Sequence, residues 1–238
     1  MYDDFSLRRM KTAGLHEGGE WWELGAGLGR TAKLMAEVVG AHGKVFATDR
    51  KVVKGAEYAI ETHDVVTDRL PGGDRCFDGI HARMVLAHLG AREEVTLALT
   101  NRLRPGGALV IEEMGLYVGY VAFSDISGAY QVVEEYNAAL RSMFDGFGND
   151  ATWPRRIGRV LGDAGLVDID VETHAQTWAG GSAGCWMSVA VSTDMSEHLN
   201  KHGFDEQQLN LLHAVLTHPS TRLAANPLIS TIGYKPAV

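Results

Sequence analysis

The chain of 238 residues is 45% hydrophobic, enough for one α/β domain with a full core, and its 22 Lys and Arg against 30 Asp and Glu leave a formal charge of −8. That acidity argues against a nucleic-acid partner and favours small or neutral substrates. Two widely spaced cysteines, Cys76 and Cys185, an N-terminus without an apolar export core and no long apolar run together predict a soluble, cytoplasmic protein with reduced thiols and no membrane partner.

In chain order, short apolar strands alternate with helical patterns, the rhythm of a parallel sheet with crossover helices. Strands are predicted at about 20–24, 44–48, 59–62, 77–82 and 108–112. Between the first two, Ala32, Leu34, Met35, Val38 and Val39 recur at helical spacing, and the pattern stops at Gly40 and Gly43. A second crossover, EEVTLALTNRLRPGG, begins with acids, ends with Arg102 and Arg104, and breaks at Pro105, Gly106 and Gly107 before the strand ALVIEE. Residues 115–154 depart from this rhythm: LYVGYVAFSDISGAY is aromatic and YQVVEEYNAALRSMF helical, which predicts an inserted lid beside the sheet. RIGRVLGDAGL then reads as a helix, VDIDVETHAQTW as a strand, 182–218 as two helices split near Gly203, and PLISTIGYKP as the last strand. The expectation is a single domain over 1–238. Its α/β fold is doubly wound and Rossmann-like, with a seven-stranded, mostly parallel sheet and the helical lid inserted after strand five. Ligands of such folds bind at the carboxyl ends of strands, where the strand order reverses.

The stretch WWELGAGLGR sets three glycines, Gly25, Gly27 and Gly29, between the first strand and its helix, where missing Cβ atoms permit a sharp turn and close approach of a ligand. A ligand-free turn is the plainer alternative. Asp49, ending the next strand, can accept hydrogen bonds from two ribose hydroxyls, which suits a nicotinamide dinucleotide and an adenosyl sulfonium equally. The glycine spacing separates the two, because a dinucleotide needs its third glycine where Arg30 stands, and no Gly-Lys-Ser/Thr follows to make a phosphate loop. Glu23 adds a negative charge that would repel a pyrophosphate and suit a cationic sulfonium, unless it merely caps a turn. Asp64 could accept from an adenine amino group while the Val65 amide donates to the ring; the alternative is an ordinary loop acid.

The ordered set ELGAGLG, ATDR, HDVVTDRLP, FDGIHARMVLAHL and LRPGGALVIEE resembles the class I S-adenosylmethionine-dependent methyltransferases, in particular a small-molecule branch common in actinobacteria. The resemblance is strong over about 1–115 and looser beyond. It implies S-adenosylmethionine as cofactor, with Glu23, Gly25, Gly27, Leu28 and Gly29 forming the methionine-side loop. It further implies Asp49 and Arg50 at the ribose, His63, Asp64 and Val65 along the adenine, and Ala82 and Arg83 closing over the methionine portion. His88 falls in the family's LxHL helix, where ordering the segment is preferred to acting as a base. Two departures stand out: the segment between Asp49 and Asp64 is short, and Gly79 replaces a larger strand residue.

Methyl transfer from a sulfonium chiefly needs alignment in a dry pocket, and a base only where the acceptor must lose a proton. The catalytic candidates are Glu113 and Arg83, with Glu112 and His174 as further bases or anchors, although a solvated or ion-paired strand end explains both glutamates equally well. Tyr117, Tyr120 and Tyr130 of the insertion, with Trp186, could wall a site for an aromatic acceptor, or could pack helices. His198 and His202 lack companions for a metal site, so none is expected. The N-terminal YDDFSLRRM either folds over the cofactor or frays. The expected activity is methylation of O, N or C of a small metabolite, an aromatic natural product of secondary metabolism fitting best. A non-catalytic binding subunit or sensor is the alternative, a homodimer stays open, and Trp21 and Trp22 are assigned no place beside the cofactor.

Overall fold

The computed structural model describes residues 2–69, 76–115 and 118–237. The helices and strands are, in order, α1 (Asp3–Thr12), β1 (Glu20–Leu24), α2 (Arg30–Val39), β2 (Lys44–Asp49), β3 (Glu61–Thr62), β4 (Phe77–Arg83), α3 (Arg92–Thr100), β5 (Leu103–Met114) and β6 (Tyr120–Phe123). There follow α4 (Ala129–Gly146), α5 (Ile157–Asp163), β7 (Val167–His174), β8 (Thr177–Ala179), α6 (Ala183–Asp194), α7 (Ser196–Lys201), α8 (Glu206–Thr217), β9 (Arg222–Ala224) and β10 (Leu228–Tyr234).

A seven-stranded sheet has the order β3-β2-β1-β4-β5-β10-β7. Strands β3, β2, β1, β4 and β5 run parallel. β10 runs antiparallel to β5: Lys235, after its end, bonds to Gly106 and Gly107 near the start of β5, and Pro227, before its start, accepts from Gly115 after β5 ends. From β1 the chain steps outward to β2 and β3 and returns to β4 on the other side, so the strand order reverses between β1 and β4. The Rossmann-like α/β expectation is met. β5 starts earlier than predicted because Leu103 pairs with Phe77 across a register shift, which admits Pro105-Gly106-Gly107 into the strand as an irregularity. β3 is shorter than predicted, and upstream of it the Tyr58 hydroxyl donates to the Val45 carbonyl at 3.1 Å.

Side chains that face each other across parallel strands share a side of the sheet. One side carries Trp21, Val45, Ala47, Ala108, Val110 and Ile232 beneath Met10 and Ala13 of the α1 segment and Ala32, Met35 and Val39 of α2. The other carries Trp22, Leu24, Phe46, Ile80, Ala82, Leu109 and Ile111 against α3 and α5 residues Val95, Leu99, Ile157 and Leu161. The two tryptophans therefore anchor opposite cores. Trp21 lies against Gly79, where a Cβ would come within 2.4 Å of the indole. Gly79 is small because Trp21 is large. Trp22 donates from Nε1 to Thr48 Oγ1 at 2.9 Å and packs on Phe46 and Phe77. The N-terminus is an ordered helix: Arg9, 3% exposed, bonds to Asp170 and Ser230, while Arg8 pairs with Glu172.

The polypeptide forms two compact units. The sheet unit comprises 2–113, 153–172 and 229–238, and the second comprises 114–152 and 173–228. The segment expected as an insertion, 115–154, thus folds with a large part of the C-terminal half. In this second unit α4 buries Val132, Val133, Tyr136, Leu140 and Met143, and Tyr136 meets Phe204 at a ring distance of 5.7 Å. A three-stranded sheet has the order β6-β9-β8, both pairs antiparallel. The single strand predicted over VDIDVETHAQTW divides into β7 and β8 of different sheets, because the Gln176 carbonyl accepts from Ala225 beside β9. Residues 182–218 form three helices where two were predicted: a further break falls at Met195, and Asp205 with Gln208 makes a capping box that starts α8. Among the described residues no helix is long and apolar enough to cross a membrane.

Candidate active site

The register aligns the carboxyl ends of β1, β2, β3 and β4 along one sheet edge, since Leu24 pairs with Thr48 and Ala82, and Asp49 with Thr62. At that edge the Gly25 and Ala26 amides donate to the Thr48 carbonyl at 2.8 and 3.0 Å, turning the chain back over β2. Gly25, Gly27 and Gly29 have φ of 70°, 56° and 78°, the left-handed region that glycine enters without steric cost. Their surroundings distinguish them. A Cβ on Gly25 would lie 2.2 Å from Val85 and one on Gly29 2.9 Å from Tyr58, whereas one on Gly27 would meet nothing within 4 Å. Two glycines therefore serve close packing and the middle one leaves open space.

Asp49 ties this loop down: Oδ2 accepts from the Gly27 amide at 2.8 Å and Oδ1 from the Lys51 amide at 3.0 Å. A carboxylate offers about four acceptor positions, so about two remain for a ligand's hydroxyls. Leu28 is 55% exposed while its carbonyl accepts from Glu57 at 2.7 Å, and Arg50 is exposed. Arg30, at the start of α2, pairs with Asp3 at 2.8 Å.

Beyond β3, the His63 amide donates to the Asp49 carbonyl at 2.9 Å, which holds the two strand ends together. Its ring is buried edge-on to Trp22, and neither ring nitrogen has a partner among the described residues. Asp64 Oδ1 accepts from Val66 at 2.9 Å in a local turn, and Val65 packs partly buried against the core. At the end of β4, Ala82 is buried and Arg83 reaches Thr31 at 3.0 Å, Ser6 at 3.0 Å and Asp3 at 3.2 Å, and the next residue, Met84, takes a left-handed φ of 57°. Such a φ on a long side chain is a strained turn of the kind that gathers at functional edges. His88 stands exposed at the end of the short turn Leu86–His88.

The strand register settles the directions of the two glutamates. Glu112 lies opposite Arg83 on the α1 side of the sheet, where it accepts from Ser6 Oγ and faces His81. Glu113 lies on the other side, 1% exposed, and Oε1 accepts from the Ala87 amide at 3.1 Å. Burial pushes Glu113 up to about 7, against the backbone amides of Ala87, Leu86 and Val85 and the Arg92 charge. The carboxylate of Glu113, the residue expected as a catalytic base, is enclosed and holds the turn after β4 through the Ala87 amide. Glu23, expected in the methionine-side loop, is turned inward: it is 2% exposed and accepts from His81 Nδ1 at 2.5 Å. Sequence reasoning missed His81, Ser6, Asp3 and Thr31. The available signal was the strand period, which puts His81 and Arg83 on one face.

The described members of the expected substrate set belong to the second unit. Tyr120 on β6, Tyr130 on α4 and Trp186 on α6 are 58%, 56% and 53% exposed, Tyr117 lies outside the described residues, and His174 ends β7.

A family described as a methyltransferase domain matches residues 22–111, the span that holds the glycine loop, Asp49, the 63–65 segment and the end of β4. A comparison with curated protein sequences finds no match. Among solved structures the chain is similar to phosphoethanolamine N-methyltransferase 2 of Haemonchus contortus in complex with phosphomonomethylethanolamine and S-adenosylhomocysteine, at 15% identity and a TM-score of 0.60. That alignment covers 98% of this chain and 52% of the other, so this chain spans about half the length of that protein. It is similar also to the YcgJ protein of Bacillus subtilis, at 14% identity and a TM-score of 0.58, covering 98% and 99% of the two chains. A SAM-dependent methyltransferase of Archaeoglobus fulgidus aligns at 15% identity and a TM-score of 0.56, covering 98% and 94%. Identities this low speak for the fold. Residues 22–111 therefore match a methyltransferase-domain family, within a chain that has the fold of the class I S-adenosylmethionine-dependent methyltransferases.

Proposed function

We propose that the protein is an S-adenosylmethionine-dependent methyltransferase acting on O, N or C of a small metabolite. The observation that carries this reading is the pairing of Gly27, left-handed and open on its Cβ side, with an Asp49 carboxylate that holds its amide and keeps acceptor capacity for ribose hydroxyls. Arg30 in place of a third dinucleotide glycine, exposed and paired with Asp3, argues for this cofactor over a nicotinamide. Bound S-adenosylmethionine supplies a methyl group already activated on a sulfonium. The chain then has to hold the adenosine at Asp49 and the 63–65 segment and align the acceptor. Both glutamates at the end of β5 are committed, Glu112 to His81 and Ser6 and Glu113 to a backbone amide, which supports alignment rather than base catalysis from this strand.

The acidic composition supports a small, non-nucleic-acid acceptor, and the exposed Tyr120, Tyr130 and Trp186 support an aromatic one. The H. contortus relative was solved with a small phosphorylated amine, which fits the same substrate size. Calorimetry with S-adenosylmethionine tests the first half: one-to-one binding is expected, with at least about a tenfold loss in Asp49→Ala. Absence of binding by the folded protein would sink the proposal. Transfer of labelled methyl to a panel of small aromatic and amine acceptors tests the second half, and labelling of bulk protein or RNA alone would overturn it.

A further inference from the structure

We infer that His81 is a positioning residue for the cofactor loop: as a buried imidazolium clamped between Glu23 and Glu112, it fastens the strand that launches the loop to the side chains that hold α1. This inference rests on the proposal that the loop binds S-adenosylmethionine. The geometry is a continuous buried chain. Glu23 lies opposite His81 in the β1–β4 register, and the two meet at 2.5 Å through Nδ1. On the other edge of the ring, Nε2 is 3.3 Å from Glu112 Oε2, and all three residues are at most 2% exposed. Glu112 accepts from Ser6 of α1, Ser6 accepts from Arg83 at 3.0 Å, and Arg83 reaches Thr31 on α2 and Asp3 on α1.

Charge decides the state of the ring. Each ring nitrogen faces a carboxylate, and only the doubly protonated form presents a donor to both. A neutral ring would leave one buried carboxylate opposite a lone pair, at the cost of desolvating an unpaired anion. His81 Nε2 lacks an aligned hydrogen bond, and a proton there turns its 3.3 Å approach to Glu112 Oε2 into a contact between opposite charges. The charged groups around the ring are Glu23 from β1, Glu112 from β5, Arg83 from its own strand and, through Arg83, Asp3 from α1. Burial disfavours the charged ring, but the Glu23 and Glu112 carboxylates outweigh it and raise His81 to about 9. Because the folded value lies above the ordinary 6.5, the stabilisation is complete below 6.5 and is lost as pH rises through about 9. Glu23 lies two residues before Gly25, so loss of the clamp loosens the strand end from which the loop turns.

The test is calorimetric titration with S-adenosylhomocysteine from pH 7 to 10, with side-chain NMR of His81 over the same range. The wild-type ring is expected to be doubly protonated at pH 7.5, and affinity to fall at least about fivefold as the ring deprotonates. His81→Gln should bind more weakly at pH 7.5 and lose that step. Glu112→Gln, which removes one of the two carboxylates and keeps the ring, should move the step to lower pH, an effect that loss of packing alone would not produce. A ring neutral at pH 7.5 in a protein that binds normally, or a Glu112→Gln step left in place, overturns the inference and spares the cofactor reading. A wild type that binds no S-adenosylhomocysteine at any pH overturns the cofactor reading and this role with it, whatever charge the ring carries.

Discussion

Alanine at Gly27 and at Gly106 should cost the same in stability and differ in ligand binding. Both glycines are left-handed, with φ of 56° and 77°, and an added Cβ meets nothing within 4 Å at either. The folded state pays only the backbone penalty of an L-residue in this region, about 1–2 kcal/mol, offset by about 0.4–1 kcal/mol from the less flexible unfolded chain. The net loss of about 1 kcal/mol lowers the melting temperature by about 2–4 °C for a protein of this size. Gly106 sits near the start of β5, bonded through its amide to Lys235, while Gly27 stands at the sheet edge with its amide on Asp49. A methyl group at position 27 occupies the space proposed for the cofactor. Gly27→Ala should therefore weaken S-adenosylhomocysteine binding at least about tenfold, or 1.4 kcal/mol, with Gly106→Ala within about twofold of wild type. Calorimetry and thermal unfolding of the three proteins measure both quantities. Equal affinities would refute the argument that the open side of Gly27 faces the ligand.

Other perturbations test the supporting structure. Gly79→Ala sets a Cβ 2.4 Å from the Trp21 indole and should cost about 1–3 kcal/mol by overpacking, and a Trp21→Leu partner should recover much of it in a double-mutant cycle followed by thermal unfolding. Glu113, raised to about 7 by burial, binds its proton more tightly in the folded state than in the unfolded one, so wild-type stability should fall as pH rises from about 4.5 to 7 and then level off. Denaturant melts of Glu113→Gln should lack that slope, and the variant should retain methyl transfer. Loss of turnover with intact folding would restore Glu113 as a base.

The strands and first crossovers were legible because glycine and proline punctuate them and their helices repeat at a clean period. The glycine loop with Asp49 was legible because both lie within a few residues of strand ends whose positions the pattern marks. The partnerships of Glu23, Glu112 and His81 were not, since they depend on which strands are neighbours and in what register. Alternation along ALVIEE says that Glu112 and Glu113 point oppositely, and only the pairing of Glu112 with Arg83 says which side is which. Trp21 and Gly79 carry the same lesson, each unexplained alone and accounted for once β1 and β4 lie side by side. The grouping of 115–154 with 173–228 rests on contacts between segments far apart in sequence, such as the Gly119 amide on Asn226, which no local period announces.

The central claim is that the loop between β1 and α2 holds an adenosyl sulfonium rather than a dinucleotide. Equilibrium dialysis of labelled S-adenosylmethionine against the purified protein, with S-adenosylhomocysteine and NADH as competitors, tests it most directly. The account predicts saturable one-site binding that S-adenosylhomocysteine displaces and NADH does not. Displacement by NADH at comparable concentration, or no retained S-adenosylmethionine, would contradict it.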